Sequence, residues 1–356
     1  MQAPVAEAGA PALTVQIVSY NTRALTLRCL ETLTAATAEP MRVVVLDNAS
    51  DDGSADAVAA AFPQVALIRS AENLGFARAN NVIAGTVATE CAPEWLLLLN
   101  SDTEVLPGAI DNLLAFARAH PEHGIYGGRT LFADGSLNPG SCFGRLSPWS
   151  AFCDATGLAA AFRGSRLFDA ENIGGWARDS VREVDIVCGC FFLIPAALWR
   201  RLGGFDPRFF MYGEEVDLCH RARAAGWRPV VTPAATIVHL GGASRASPAS
   251  KRIQVARARA SIVALHWPPA WRPWGRAMLW LWAANRYAAA AALARLGQGA
   301  GQRALWAEVW SRRRDWLAGW RPARARPGSP PEPVNASATK LSCCLPAPNP
   351  SVVSIP

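Results

Sequence analysis

Between residues 13 and 119, apolar runs of strand length alternate four times with segments of helical spacing. The runs are LTVQIVSY (13–20), MRVVVLDNAS (41–50), VALIRS (65–70) and EWLLLLNSD (94–102). The helical segments are TLRCLETLTAA (26–36), DGSADAVAAAF (52–62), NLGFARANNVIAGTV (73–87) and residues 108–119 behind Pro107. Short connections between buried runs predict a parallel sheet with helices on both faces. Ligands bind such sheets beyond the carboxyl ends of the strands. Three of those ends carry polar residues here: SYN (19–21), DNAS (47–50) and NSD (100–102).

Residues 130–180 are rich in Gly, Ser, Phe and Trp and read as a long irregular insertion, of the kind that is often functional. Strand character resumes in REVDIVCGCFFLIP (182–195), followed by a short helix AALWRRLG (196–203). RPVVTPAATIVHLGG (228–242) holds one more strand. Residues 250–320 read as two or three amphipathic helices, and from Pro327 the chain is Pro-, Ser- and Ala-rich and expected to be disordered.

Charge divides the chain. Sixteen Lys or Arg stand against two acids between Arg245 and Arg326, a net of +14, whereas residues 1–244 carry a net of −7. Nine of the fourteen tryptophans lie in the basic part, from Trp267 to Trp320. Arg with Trp is a membrane-interface composition more than a nucleic-acid one. AMLWLWAANRYAAAAALARL (277–296) is the best spanning candidate, but Arg286 sits near its middle. A central Arg costs about 2.5–3.5 kcal/mol on insertion scales. A helix lying in the interface with its arginines toward anionic headgroups fits better, although packing on the body of the protein is the alternative. The nine cysteines show no metal spacing, as expected of reduced thiols. MQAPVAEAGAPAL has no basic start and no apolar core, so no secretion signal is read there.

No GxGxxG follows the first run, and GxxxxGK[ST], HExxH and GxSxG are absent, which removes dinucleotide oxidoreductases, P-loop kinases, zincins and common serine hydrolases. What remains is acidic. Asp102 ends an apolar run, where a carboxylate either caps a turn or holds Mg²⁺ or Mn²⁺ jointly with phosphates. His239 ends ATIVHL and either is a satisfied structural group or completes that metal site. YGEEVDLCHRARAAGW (212–227) gathers Glu214, Glu215 and Asp217 at a helix start that Gly226 would end. Acids there can simply favour the helix dipole, with Asp217 pairing to Arg221, or can provide a general base.

Taken in order, SYN (19–21), LDNASDDGSAD (46–56), NLGFARANN (73–81), LLLLNSDTEV (96–105), GGFDPRFFMYGEEVDLCHRARAAGW (203–227) and HLGGAS (239–244) resemble glycosyltransferase family 2. The closest type is its rhamnosyltransferase-like bacterial branch, and the resemblance covers roughly 13–245. It implies a GT-A fold, a Rossmann-like and mostly parallel α/β sheet flanked by helices. It also implies inverting transfer from a nucleotide-diphospho-sugar with a divalent metal, Mn²⁺ or Mg²⁺. The expected organisation is a flexible leader (1–12), a nucleotide half (about 13–125) and an acceptor half (about 126–245). A basic, Trp-rich helical appendage (246–326) and a disordered tail (327–356) follow. Carried over by motif, Ser19, Tyr20 and Asn21 lie along the nucleotide, and Asp47 and Asn48 contact base and ribose. Asn73, Gly75, Phe76 and Arg78 close the pocket, with packing an equal account of Gly75 and Phe76. Asn100 and Ser101 precede the metal-binding Asp102, and His239 resembles the histidine that reaches metal and diphosphate. WRRLGGFD (199–206) resembles the segment that meets the acceptor.

Two positions depart from the family pattern. Asn100 replaces the leading Asp of Asp-x-Asp and removes one negative charge. Glu215 stands where Asp is usual, one methylene longer with a similar solution pKa. Glu215 is the expected base, Glu214 the second choice, and Asp217 the residue that orients the helix. The implied donor is dTDP-rhamnose, with UDP- or GDP-sugars open, and the acceptor is a cell-envelope glycan or lipid-linked. The expected location is cytoplasmic, peripheral at the inner face of an anionic membrane, without nucleic acid. A catalytically silent sugar-nucleotide-binding protein is the competing reading. A nucleotidyltransferase would need a Gly-rich basic loop that SYNTRAL (19–25) does not supply.

Overall fold

A computed structural model of the chain describes residues 11–241 and 247–321. The leader before Pro11, the end of HLGGAS (from Gly242), Arg245 and the tail from 322 lie outside the described residues.

The four apolar runs form parallel strands β1 (Leu13–Ser19), β2 (Met41–Asp47), β3 (Ala66–Arg69) and β4 (Trp95–Asn100). Helices α1 (Arg23–Ala36), α2 (Ser54–Ala61) and α3 (Gly75–Glu90) connect them. Alternation along each strand feeds two cores. Val15, Ile17, Val43, Val45, Leu97 and Leu99 face α1 and α4 (Ala109–Ala119), while Val44, Leu46, Ile68, Leu96 and Leu98 face α3.

β5 (Thr103–Val105) and β6 (Tyr126–Leu131) begin the second half. The insertion is less irregular than its composition suggests. It holds β7 (Leu137–Asn138), β8 (Cys142–Phe143), α5 (Pro148–Thr156) and α6 (Leu158–Ala161). A Ser147–Ser150 capping box starts α5. Next come β9 (Arg182–Glu183), β10 (Ile186–Val187), β11 (Phe191–Pro195), α7 (Ala196–Leu202), α8 (Glu214–Ala224) and β12 (Val230–His239).

The sheet runs β3-β2-β1-β4-β11-β6-β12-β5, with β7 on β6 and β9 on β12. β8 and β10 pair separately. The sheet is therefore mixed and mostly parallel: β11 enters antiparallel between β4 and β6, and β5 is antiparallel to β12.

Four helices close the described chain: α9 (Pro248–His266), α10 (Arg272–Arg295), α11 (Ala300–Ser311) and α12 (Arg313–Leu317). Their apolar residues form a third core with Leu146, Ala151 and Ala155 of the insertion, centred on Trp267, Trp306 and Trp316. Trp267 Nε1 donates to Leu146 O at 3.1 Å. No helix among the described residues is long and apolar enough to cross a membrane. Arg286 does not point its charge at headgroups. Its guanidinium pairs with Asp154 of α5 at 3.0 Å and stacks on Trp282, because that charge sits where α10 meets the insertion. Trp271, Trp274 and Trp280 remain exposed, the last two on α10.

Candidate active site

Strand register brings the first two site residues together. β12 runs antiparallel to β5 with His239 opposite Thr103, and Leu240 N donates to Asp102 O at 3.0 Å. His239 Nε2 then lies 3.2 Å from Asp102 Oδ1 and 3.4 Å from Asn100 Nδ2. Burial works to lower the His239 pKa, but the hydrogen bond and charge of Asp102 outweigh it and raise it.

The ends of β1 and β2 converge on the same edge. Ser19 Oγ meets the hydroxyls of Thr22 and Thr26, and Thr22 Oγ1 reaches Ser101 Oγ at 3.2 Å. Asn21 and Ala49 hold left-handed φ values of 53° and 64°, which turn each chain sharply after its strand. Asn21 N donates to Ser50 Oγ, and Asp51 N donates to Asn21 Oδ1, so the two turns are tied. Asp47 Oδ2 accepts from Ser50 N, while its Oδ1 is buried with no partner among the described residues. Asn48 is engaged by protein: it donates to Asn73 Oδ1 and Gly75 O and accepts from Leu74 N. Tyr20 and Arg78 are exposed, and Arg78 pairs with Glu72.

Gly75 is required where it stands. Its φ is 73°, and a Cβ there would lie 2.2 Å from Phe210 O. The loop NLGF is thereby pressed onto the loop before the acid cluster, and Phe76 N donates to Phe210 O at 2.8 Å. Gly189, between Cys188 and Cys190, separates Phe76 from Glu215: a Cβ there would lie 3.2 Å from the Phe76 ring and 4.0 Å from Glu215 Cβ.

The acid cluster enters α8 through two left-handed residues, Tyr212 (φ 66°) and Gly213 (φ 95°). A non-glycine residue in that region stores strain, a common feature of working sites. Glu214 is buried and Glu215 half-buried, and each has an Oε2 without a partner among the described residues. Burial pushes the Glu214 carboxyl well up, and the neighbouring Glu215 charge adds to the effect. Burial also raises Glu215, against the backbone N–H groups of Glu215, Gly213 and Val216 that favour its charge. Tyr212 is raised by burial first and then by the charges of Glu214, Glu215 and Asp102, so these groups share one electrostatic environment.

Asp217 has a different environment. Arg221 donates to its Oδ2 at 2.8 Å, and His266 Nε2 lies 2.8 Å from its Oδ1. Burial alone would raise the Asp217 pKa, but His266 and Arg221 hold it below the ordinary range. Arg221 also donates to the carbonyls of Leu202 and Gly204, which fixes the turn after α7 to α8. Arg200 and Arg201 of α7 form no ion pair among the described residues.

The sequence reading missed His266 and the packing of α9 on the acid loop. Ala258 of α9 lies 3.0 Å from where a Gly213 Cβ would be. No local pattern signals either contact, since His266 is 49 residues from its partner. His120, Glu122 and His123 form the one metal-capable group of three acids, histidines or cysteines among the described residues, at the protein surface.

The family model described as "Glycosyltransferase like family 2" matches residues 11–260, which extends into α9. N-acetylglucosaminyl-diphospho-decaprenol L-rhamnosyltransferase of Mycobacterium tuberculosis is 32% identical over 244 residues, covering 64% of this chain and 75% of the relative. Rhamnosyltransferase WbbL of Escherichia coli K12 is 41% identical over 56 residues, 16% of this chain and 21% of that one. Among solved structures, the mannosyltransferase PcManGT from Pyrobaculum calidifontis, in complex with GDP-Man and Mn²⁺, is similar in fold. Its TM-score is 0.51 at 21% identity, over 86% of this chain and 88% of that chain.

Proposed function

The chain belongs to glycosyltransferase family 2 and is a glycosyltransferase, and on that premise we propose that it moves rhamnose from dTDP-rhamnose to a lipid-linked cell-envelope glycan with inversion. The observation that carries the proposal is the convergence, around Tyr212, of the Asp102–His239 pair with the Glu214–Glu215 pair, each of whose carboxylates keeps one oxygen without a partner among the described residues. The rhamnosyl specificity rests on the mycobacterial relative, whose name states a lipid-diphosphate-linked acceptor.

Asp102 and His239 fit a divalent ion. One offers a carboxylate oxygen and the other an imidazole nitrogen, donors that suit Mn²⁺ or Mg²⁺. Both are partly exposed, so other coordination positions are open to diphosphate and water. When bound, the ion neutralises the diphosphate leaving group. Ser19, Tyr20 and Asn21 line the nucleotide, and base or ribose supplies the donor that Asp47 Oδ1 lacks. Asn48 acts through the Asn73–Gly75 loop it holds, and Arg78 closes that loop's outer side. Asn100 and Ser101 set the turn that presents Asp102.

Glu215 takes the proton of the acceptor hydroxyl as that oxygen attacks the anomeric carbon from the face opposite the diphosphate. A single displacement of this kind inverts the carbon. Glu215 suits the role better than Glu214 because it is less buried, and its raised pKa brings a carboxylate closer to the acidity an efficient base needs near neutrality. Asp217 keeps α8 in place through Arg221 and His266.

A thermal-shift panel of dTDP-rhamnose, UDP- and GDP-sugars with Mn²⁺ or Mg²⁺ tests the donor. At a hundredfold excess over Kd the true donor stabilises by about 2.7 kcal/mol. Labelled sugar should pass from it to a lipid-linked acceptor. A donor that stabilises without transfer or hydrolysis would instead support the silent binding protein.

The net charge of +14 between 245 and 326 and the exposed Trp271, Trp274 and Trp280 support peripheral docking on an anionic membrane. Trp271→Ala with Trp274→Ala should release the protein from anionic vesicles, as should high salt. Unchanged sedimentation with vesicles under both conditions would refute docking by this face.

A further inference from the structure

A cavity of about 270 Å³ lies away from the acid pair, where the insertion meets α9 and α10. Its polar lining is charge-balanced: Arg252, Arg259 and Arg286 face Asp154, Asp169 and Glu171. Arg259 grips Glu171 with both nitrogens, at 2.6 and 3.0 Å, and Asp154 takes Arg259 and Arg286 at 3.2 and 3.0 Å. Asp169 accepts from Gly164 N and Asn172 Nδ2. Arg252 has no carboxylate partner among the described residues; it lies over the Trp306 ring at 5.2 Å. Trp282 and Phe168 contribute aromatic surface.

We infer that this cavity is a second saccharide site, which holds a neutral sugar of the acceptor glycan away from the hydroxyl that reacts. An anion entering it would meet three carboxylates, and a cation three guanidinium groups. A neutral polyol meets planar donors and planar acceptors together, and its C–H faces suit Trp and Phe. The volume is near the small end of ordinary ligand pockets, which begin at roughly 300 Å³. Arg252 and Arg259 lie two turns apart on α9, and Ala258 of the same helix packs beside Gly213, next to the acid pair. Binding energy gained here, remote from the chemistry, can therefore be used at the reacting centre.

The inference rests on the reading of the chain as a transferase to a glycan, and its test does not need turnover. The full-length protein is titrated calorimetrically with N-acetylglucosamine, its β1,4-disaccharide and methyl α-L-rhamnoside, with inorganic phosphate as the anion control. At least one saccharide should bind saturably and persist in the presence of dTDP. Ala159→Trp, which fills the cavity from α6 and removes no member of an ion pair, should weaken that binding about tenfold or more. Arg252→Ala, which breaks no ion pair, should weaken it in the same direction. No saturable saccharide binding, displacement by dTDP, binding of phosphate alone, or binding indifferent to both variants would each overturn the assignment. Saccharide binding without transfer from any nucleotide-sugar would leave the site standing and remove the rhamnosyltransferase reading.

Discussion

Glu215→Gln is expected to lower the transfer rate by about 10²–10⁴-fold while leaving donor-induced thermal stabilisation unchanged. The amide keeps the shape of the side chain and cannot accept the proton. Glu214→Gln should be far milder in rate, because Glu214 is the more buried of the two. The pH profile carries the same assignment. Burial raises the Glu215 pKa, so transfer should fall as pH drops through a value above the ordinary glutamate range. Stability has the opposite sense. A carboxyl raised in the folded state binds its proton more tightly there than when unfolded. The acid pair therefore costs no stability below the unfolded pKa and its full penalty above the folded one. Glu214→Gln should accordingly raise the melting temperature at neutral pH, with the gain vanishing in acid. Wild-type transfer by Glu215→Gln would remove Glu215 as the base. A neutral or lower melting temperature for Glu214→Gln would refute the strained pair.

The first half of the fold could be read from the chain because β1, β2 and β4 are buried on both faces and are written as mostly apolar runs, as in VVVLD and WLLLLN. The strand ends were legible for the same reason: Ser19, Asp47 and Asn100 are where those runs turn polar. The second half was harder, because β11 inserts antiparallel between strands far from it in sequence. Nothing in FFLIP encodes that direction. The insertion hid α5 and α6, and the small residues of α5 pack against helices more than a hundred residues away. The arginines of the appendage misled differently. A mid-helix Arg reads as a headgroup contact until its partner Asp154 is known, and that partner is 132 residues away. The appendage is also not a detachable anchor. Truncation near residue 250 would remove His266 from Asp217, the backbone N–H that Trp320 donates to Ser261, and most of the third core. Loss of membrane binding in such a truncation would therefore not separate docking from unfolding, whereas the tryptophan variants do.

Asp102→Ala should reduce transfer by about 10²–10³-fold, the usual consequence of removing one preorganised group that stabilises leaving-group charge. The side chain is half-buried in the β4–β5 turn, and its backbone carbonyl already holds Leu240, so the turn should survive the truncation. Loss of the carboxylate leaves His239 as the sole protein donor from this pair. Mn²⁺ binding, followed by the electron spin resonance of the free ion in the presence of dTDP, should weaken together with the rate. Asn100→Asp works in the opposite direction. It restores the charge that this chain lacks in the Asp-x-Asp pattern and places it against the same imidazole, 3.4 Å away in the present side chain. Mn²⁺ should then saturate at lower concentration. The rate need not rise, because a more strongly neutralised ground state is not a better stabilised transition state. Full transfer by the wild type in the presence of excess chelator would refute the metal assignment outright. Unchanged Mn²⁺ affinity in both variants would move the site away from Asp102, whatever the effect on rate.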